Sequence, residues 1–442
     1  MDHGAFSREG GGVTRRAALL GTLAVFGTAV LAGCTPAASA GGPVPLKFWH
    51  LLSGGDGVNM AELIAKVNAG TDEFVASQTV LAWGPPYYTK LAMASAGGRG
   101  PEVAIMHASR LPGYAPGGLL DPWDIDLLAE FGVSEENFPE RIWEKGFSDG
   151  ELFSIALDAH PFILMYNTDI AEQAGVLDAD GRLREITSPE EFLEVASLMQ
   201  QVTGEHGVSY GYLGDGAQMW RLFWTLYKQQ GAEMELEPGK EAVVDEAAAV
   251  TALEFMQRML DDTIATTRAD YPSAIAEFAN GQTGMFLTGV WELPTMQRAE
   301  LPFDAVPIPT MFGTPAAHAD SHAFVLPHQE VPDEAKRRET YRFVSEVLKE
   351  SFDWAKAGHI PAYLPVTESP EYAELQPQAN YAAAAEIINY DPAAWFTGSG
   401  SDFQTYFAES IQGVLLSGDD AATGFRDFVD RLNTLLSKPT PV

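Results

Sequence analysis

Apolar and polar positions alternate along the chain in a way that predicts strands and helices in turn. Short apolar runs predict strands at 45–49, 79–83, 102–106, 152–157, 162–167, 284–287, 303–307 and 323–326. Apolar residues three and four apart, with charges between them, predict helices at 60–68, 87–95, 189–201, 219–230, 246–260 and 336–349. This order is typical of an α/β fold, in which helices cover both faces of a mostly parallel sheet.

The strand–helix pattern occurs twice, with a polar, proline-containing break at 158–161. We therefore expect two α/β lobes joined by extended crossings, with a cleft between them. The N-terminal lobe is expected to comprise 46–158 and 304–335, and the C-terminal lobe 159–303 and 336–442. Ligands of α/β sheets bind outside the carboxyl ends of strands, so such a cleft collects residues from both lobes.

The N-terminus has the layout of an export signal. Arginines at 15–16 precede an apolar run that ends in Leu-Ala-Gly-Cys, and this run is too short for a comfortable membrane span. The segment resembles a twin-arginine signal followed by a bacterial lipobox, which implies removal of residues 1–33 and attachment of lipid to Cys34. Residues 34–45 are small and rich in Gly and Pro, so they are expected to form a flexible tether. A buried cysteine beside an ordinary Sec signal is the alternative.

Composition narrows the classes of function. The 442 residues include 61 Asp and Glu against 27 Lys and Arg, a formal charge of −34. This excess repels phosphate backbones and anionic lipid, so nucleic-acid binding and electrostatic docking on membranes are disfavoured. The single cysteine cannot form an internal disulfide and excludes Cys-rich zinc or iron–sulfur sites.

Aromatic and polar side chains follow several of the predicted strands. An indole packs well on the apolar face of a pyranose, while carboxylates, imidazoles and guanidinium groups suit its hydroxyls. Any one of the tryptophans can equally be a core residue, and at least one of Trp220 and Trp224, four apart on a helix, is expected to be buried. The candidate ligand contacts are Trp49, His50, Asp56, Trp83, Tyr88, His107, Arg110, Asp158, His160, Trp220, Trp291, Glu292, His322 and Trp395.

Other kinds of site have weaker support in the sequence. The glycine-rich segment 54–57 is too short to form a phosphate-binding loop, and it lacks the lysine of such a loop. His50, His107 and His160 could form a zinc site. Paired catalytic carboxylates of a secreted glycoside hydrolase remain an alternative, because their separation is not visible in a sequence.

Three blocks together resemble the extracellular solute-binding proteins of carbohydrate-uptake ABC transporters, the group that includes maltose-binding protein. They are 100–120, which ends in Gly-Leu-Leu; 152–167, which ends in Tyr-Asn; and 280–291, which contains Gly-Val-Trp. The resemblance implies a two-lobed periplasmic-binding-protein type II fold, with Asp158 as a sugar-contacting acid and Trp291 as a stacking indole. Residues 106–110 depart from maltose-binding protein by lacking one aromatic and one acid, which argues against maltodextrin.

The resemblance implies a monomeric lipoprotein without enzymatic activity, cofactor or bound metal, held on the outer face of the cell membrane. It would capture a mono- or oligosaccharide by closure of the lobes and deliver it to an ABC permease. A binding protein for another solute, zinc or glycerol phosphate, is the principal alternative.

Overall fold

Two β-sheets, each flanked by helices, form the framework of the protein. The computed structural model describes residues 42–440, so the predicted signal, Cys34 and most of the tether lie outside the described residues. The strands are β1 Val44–His50, β2 Phe74–Val80, β3 Val103–His107, β4 Leu120–Asp121, β5 Phe147–Ser148, β6 Glu151–Leu152, β7 Ser154–Ala156, β8 Asp158–Asn167, β9 Val208–Ser209, β10 Met234–Glu235, β11 Val243–Val244, β12 Met285–Gly289, β13 Phe303–Pro307, β14 Ala317–Asp320, β15 His322–Pro327, β16 Ile360–Pro361 and β17 Ile388–Asn389.

Helices connect the strands and cover the sheets. They are α1 Gly54–Ala69, α2 Pro85–Ala96, α3 Ile125–Glu130, α4 Glu140–Glu144, α5 Thr168–Ala174, α6 Pro189–Thr203, α7 Gly216–Lys228, α8 Glu246–Met259, α9 Tyr271–Ala279, α10 Leu293–Arg298, α11 Glu334–Lys349, α12 Phe352–Ala355, α13 Leu364–Thr367, α14 Pro370–Ala373, α15 Gln378–Tyr381, α16 Asp402–Ser417 and α17 Ala421–Leu436. Short 3-10 turns lie at Ala108–Gly113, Glu135–Asn137, Val290–Glu292 and Ala382–Glu386. Within residues 42–440, none of the helices is both long and apolar enough to cross a bilayer.

The first sheet has the strand order β2-β1-β3-β15-β4, and β7 also pairs with β15. Strand β1 is parallel to β2 and β3, because α1 and α2 return the chain to the same edge of the sheet. Strand β15 is antiparallel to its three partners. Phe48, Phe324 and Phe343 of α11 pack together in the core of this lobe.

The second sheet has the order β17-β14-β8-β12-β9, and β13 and β16 also pair with β8. All ten residues of β8 are buried, and its four partners are all antiparallel. Helices α7, α8, α16 and α17 form the largest core of the lobe. The type II two-lobed fold is therefore confirmed, but both sheets are mixed and not mostly parallel, because β8 and β15 enter from crossings and pair antiparallel with all of their partners.

The chain passes between the two sheets three times. Leu157 alone separates β7 from β8, and Ser321 alone separates β14 from β15. A third passage lies between α12, which packs on α1, and α15, which packs on β13. The described residues form one compact unit, so the lobes share one junction built on these crossings.

The boundaries expected for the lobes differ from the sheets at three places. Residues 304–320 belong to the second lobe, because β13 pairs along its whole length with residues 163–167 of β8 and the chain then continues into β14, which also pairs with β8. Helix α11 packs on β1 and α1 and belongs to the first lobe, where its apolar face completes the core. The expected break at 158–161 is the start of β8, since extended backbone accommodates its proline.

Candidate functional site

A cavity of about 410 Å³ lies between the lobes, next to the crossings. The first lobe contributes the segment between β1 and α1 and the end of β3, while the second contributes α7, α9, α10 and the turn after β12. The lining residues are Leu51, Leu52, Ser53, Gly54, Gly55, Asp56, Trp83, His107, His160, Asp215, Arg221, Tyr271, Trp291, Glu292, Thr295, Arg298, His322 and His359.

Trp291 supplies an aromatic wall of this cavity. Its Nε1 donates to the Tyr271 hydroxyl at 2.7 Å, and that hydroxyl donates to Glu292 Oε1 at 2.8 Å. The ring lies so close to Gly289 that a Cβ there would come within 1.9 Å of it, which only glycine avoids. The Arg221 guanidinium lies over the ring, 4.5 Å from its centroid. The indole is therefore held in one orientation beside a cation.

Charged groups line the same cavity as the indole. Asp56, Asp215 and Glu292 bring carboxyl groups to the lining, and Arg221 and Arg298 bring guanidinium groups. Burial raises the pKa of Glu292 above its usual value, although the hydrogen bond from the Tyr271 hydroxyl acts in the opposite direction. The lining thus offers both donors and acceptors to a polar ligand.

Three imidazoles form another wall. The rings of His160 and His322 stack with centroids 4.3 Å apart, and His107 lies 5.0 Å from His322. Burial lowers the pKa of His160 to about 4 and that of His107 well below its usual value, so both rings are neutral at pH 7. The Tyr88 hydroxyl accepts from the His107 backbone N–H and donates to His107 Nδ1 at 2.6 Å, which leaves the ring proton on Nε2.

Asp158 lies behind the imidazoles and has no exposed surface. Its carboxylate accepts from His160 Nδ1 at 3.0 Å, His322 Nδ1 at 2.8 Å, the His322 backbone N–H at 3.0 Å and Trp354 Nε1 at 2.6 Å. Burial alone would raise the pKa of Asp158, but His322 and His359 hold it well below its usual value. The prediction that Asp158 contacts the ligand is wrong for this structure, because the histidines and Trp354 enclose the carboxylate completely.

His359 is a lining residue that the sequence analysis missed. It follows Gly358, whose φ is +98° and whose missing Cβ would lie 2.1 Å from the Val290 carbonyl oxygen. Its Nε2 donates to Asp56 Oδ1 at 3.1 Å, which joins the two lobes. Burial acts to lower the pKa of His359, but Asp56 and Asp158 raise it above the usual value. A glycine before a histidine was the only signal of this position in the sequence.

Half of the candidate contacts gather at this cavity: Asp56, Trp83, His107, His160, Trp291, Glu292 and His322. Three others, Tyr88, Arg110 and Trp395, line a second cavity of about 380 Å³. The Arg110 guanidinium lies 4.4 Å from the Tyr88 ring centroid and donates to the Thr397 carbonyl at 3.3 Å. The prediction that these three residues line the cleft between the lobes is wrong for this structure, because Tyr88 and Arg110 pack on each other beside the second cavity.

Trp49 and His50 do not reach the cavity. Successive side chains of a strand point to opposite faces, so His50 is buried beside Phe48 with its Nε2 bonded to Gln78 at 2.8 Å. Trp49 faces the other way and packs under Lys90 of α2, whose Nζ is 5.0 Å from the ring. Both residues serve the first lobe rather than a ligand.

Trp220 is a core residue of the second lobe and not a ligand contact. It is fully buried, stacks on Trp224 at 5.1 Å, and contacts Phe403 and Phe407 of α16. Its Nε1 donates to Asp391 Oδ1 at 2.7 Å. Helix α7 is buried on nearly all sides, so its apolar period did not reveal which residue faces the cavity; that residue is Arg221.

The histidines considered for zinc are not assembled as expected. Among residues 42–440, the one group with metal-ligand spacing combines His160 with Asp158, His322 and His359 instead of His50 and His107. The side chain of His50 is held by Gln78 and that of His107 by Tyr88, so neither supplies a ligand atom to this group, although the His107 ring packs against that of His322.

Comparison with known proteins agrees with the architecture. The profile of a family described as "Bacterial extracellular solute-binding protein" matches residues 84–385. The lactose-binding protein of Rhizobium radiobacter is 23% identical over 257 residues, a match that covers 52% of this chain and 58% of that protein. The chain thus spans little more than half the length of this relative.

Solved structures resemble the chain over nearly its whole length. The GacH receptor of Streptomyces glaucescens GLA.O, solved unliganded and with acarbose, has a TM-score of 0.73 at 16% identity and covers 90% of this chain and 99% of its own. UgpB from Mycobacterium tuberculosis, solved with glycerophosphocholine, has a TM-score of 0.73 at 18% identity, with 89% and 99% covered. These identities establish a shared fold. Because the family profile spans most of the sequence, the chain belongs to the bacterial extracellular solute-binding proteins.

Proposed function

We propose that the protein captures a sugar in the cavity between its lobes and delivers it to an ABC permease. The observation that carries this proposal is the composition of the cavity wall, where the fixed indole of Trp291 lies among imidazoles, carboxyl groups and guanidinium groups drawn from both lobes. An indole beside convergent donors and acceptors suits a polyhydroxylated ring with an apolar face.

Each wall has a separate part in recognition. His107 offers an N–H, while His160 and His322, whose Nδ1 atoms donate to Asp158, keep a lone pair on Nε2 for a sugar hydroxyl. Arg221 covers the Trp291 ring, so a sugar that stacks there displaces the guanidinium, which then lies within reach of hydroxyl oxygens. Asp158 acts as a positioning residue, because it fixes two of the imidazoles from behind.

Ligand binding is expected to close the lobes. A sugar that contacts Trp291 in the second lobe and His107 in the first binds the closed state more tightly than the open one, which shifts the population toward closure. The volume of about 410 Å³ falls within the range of small-molecule sites and favours a mono- or short oligosaccharide.

The proposal includes export and anchoring. The signal at 1–33, lipid on Cys34 and the tether at 34–45 would hold a monomer on the outer face of the cell membrane, next to its permease. Metabolic labelling with a palmitate analogue tests this, since Cys34→Ala should lose the label and be released from the membrane.

A thermal-shift and calorimetric screen against mono- and disaccharides tests the binding function. A sugar at a hundred times its dissociation constant should stabilise the fold by about 2.7 kcal/mol. Glycerol phosphate and glycerophosphocholine belong in the same panel, and stabilisation by these alone would overturn the assignment of a sugar. Recovery of oligosaccharides unchanged after incubation is the expected result for a receptor, whereas cleavage products would indicate a hydrolase.

A further inference from the structure

Four buried side chains converge at the junction of the lobes. Asp158 and His160 are two apart on β8 and point to the same face, His322 begins β15, and His359 precedes β16. One ligand atom from each lies within 4.8 Å of all the others. The crossings of the chain therefore bring together one carboxylate and three imidazoles from segments up to two hundred residues apart.

The distances from Asp158 to the three imidazoles are close to the ligand–ligand distances of a tetrahedral zinc site. Asp158 oxygens lie 3.0 Å from His160 Nδ1, 2.8 Å from His322 Nδ1 and 3.4 Å from His359 Nδ1. With metal–ligand bonds of about 2.0–2.2 Å, tetrahedral ligands are separated by roughly 3.4 Å. Small rotations of the side chains would make room for an ion between them.

His359 gives an independent sign that a cation belongs here. Its Nε2 bonds to Asp56 Oδ1, so Nδ1 is the ring nitrogen that faces the other three residues. That nitrogen is buried, makes no hydrogen bond, and lies against the Asp158 carboxylate. A metal ion between this nitrogen and the Asp158 carboxylate would give both a partner, in the place that a proton on Nδ1 would otherwise take.

We propose that Asp158, His160, His322 and His359 bind a divalent transition-metal ion, with zinc the best match to three imidazoles and one carboxylate. The ion goes beyond the proposed function, because it is a constituent of the junction and not the transported solute. With His160 and His322 coordinated through Nδ1, their protons would lie on Nε2, which would then donate to a sugar hydroxyl instead of accepting from it.

The surroundings of the four residues are those of a supported metal site. Asp56 orients His359 through Nε2, in the manner of the carboxylate–histidine pairs around zinc. Trp354 donates to Asp158 at 2.6 Å and stacks on His359, with ring centroids 4.5 Å apart. The three histidines border the cavity between the lobes, which provides a path of entry. Coordination would join β8, β15 and the segment before β16, and so reduce the freedom of the lobes to rotate.

Cobalt(II) titration of the purified full chain, stripped with EDTA, tests the proposal directly. We expect one equivalent of Co²⁺ per chain, the intense visible absorption of tetrahedral cobalt, and its displacement by Zn²⁺ with a rise in Tm of at least about 2 °C. These measurements use the unaltered protein, so they do not depend on whether a variant folds. Uptake of less than one tenth of an equivalent without a tetrahedral spectrum would overturn the proposal.

A matched pair of variants assigns the site. His359→Gln keeps a donor for Asp56 but removes the Nδ1 ligand, and should weaken cobalt binding at least tenfold. His328→Gln is the control, because His328 also donates from Nδ1 to a carboxylate, Asp121, at 2.7 Å, yet it belongs to no metal-sized group among the described residues. Equal binding by the two variants would remove His359 from the site and overturn the proposed set of ligands.

Discussion

Two buried aspartates of this protein use the same chemistry for different ends. Asp158 accepts from the indole N–H of Trp354 and from histidines at the junction of the lobes. Asp391 accepts from the indole N–H of Trp220 at 2.7 Å and from His318 Nε2 at 3.0 Å, within the second lobe. Both are buried, and neighbouring groups hold the pKa of each below its usual value against the effect of burial.

The difference between them is what their histidines face. The histidines on Asp158 line the cavity, whereas His318 does not, and Trp220 is packed among phenylalanines of the core. An aspartate that anchors a tryptophan and a histidine is therefore not by itself a sign of a ligand site. The position of the cluster relative to the crossings decides whether it serves binding or the stability of one lobe.

Removal of Asp158 should have the largest effect. Asp158→Ala leaves buried donors on His160, His322 and Trp354 without an acceptor, and should lower the free energy of unfolding by about 3–5 kcal/mol. Urea denaturation in EDTA measures this without a contribution from bound metal. A loss below about 1 kcal/mol would show that the cluster rearranges at little cost.

Removal of Asp391 should separate stability from binding. Asp391→Ala should lower the free energy of unfolding by about 2–4 kcal/mol, since fewer strong donors lose their partner than at Asp158. Calorimetry on the folded protein should give a sugar affinity within about threefold of wild type. A tenfold loss would place this aspartate in the binding machinery and erase the contrast with Asp158.

Substitutions of Trp291 and Trp220 should also separate binding from stability. Trp291→Ala is expected to weaken sugar binding at least tenfold, about 1.4 kcal/mol, because it removes the aromatic wall of the cavity. Trp220→Phe should leave the affinity unchanged while lowering stability, since it leaves Asp391 short of one donor. Calorimetric titration of both variants with one sugar makes the comparison, and a loss of affinity confined to Trp220→Phe would contradict it.

Acid should reveal the smallest effect, through the ionisation of Asp391. Burial acts to raise its pKa, but hydrogen bonds from His318 and Trp220 and the charge of Arg221 lower it below 3.8. Its ionised form thus stabilises the fold above pH 3.8, and this contribution is lost as the pH falls through the lowered pKa. The stability difference between wild type and Asp391→Asn should shrink over that interval in urea titrations, and a difference that grows would reverse the sign of the shift.

The ends of strands could be predicted from the sequence, and with them part of the cavity. Apolar runs stop where the chain leaves a sheet, which correctly directed attention to His107, Trp291 and Glu292. The face of the sheet toward which each side chain points could not be predicted. Trp49 and His50 are adjacent, yet only the register of β1 decides that neither reaches the cavity.

Contacts between distant segments account for the rest of the differences. Asp158 is enclosed because Trp354, far along the chain, closes over it, and no local pattern marks that contact. His359 lines the cavity because Gly358, directly before it, has a positive φ. Arg221 lies on α7, where the many buried residues give no sign in the sequence of the side that faces the cavity. The predicted lobe boundary was wrong at α11 for a similar reason. Its apolar face could pack on either lobe, and only the tertiary contacts place it in the first.

The close approach of Gly289 to the Trp291 ring has a consequence for the divergence of such receptors. The Trp291 ring rests on the backbone of Gly289, and any side chain at that position would collide with the ring. This part of the cavity therefore cannot vary by substitution without displacing the indole. A change in the preferred ligand would then depend on other lining residues, such as Arg221, Asp215 and Arg298. Libraries of variants at these three positions that keep Gly289 should change ligand selectivity while preserving the orientation of the Trp291 ring.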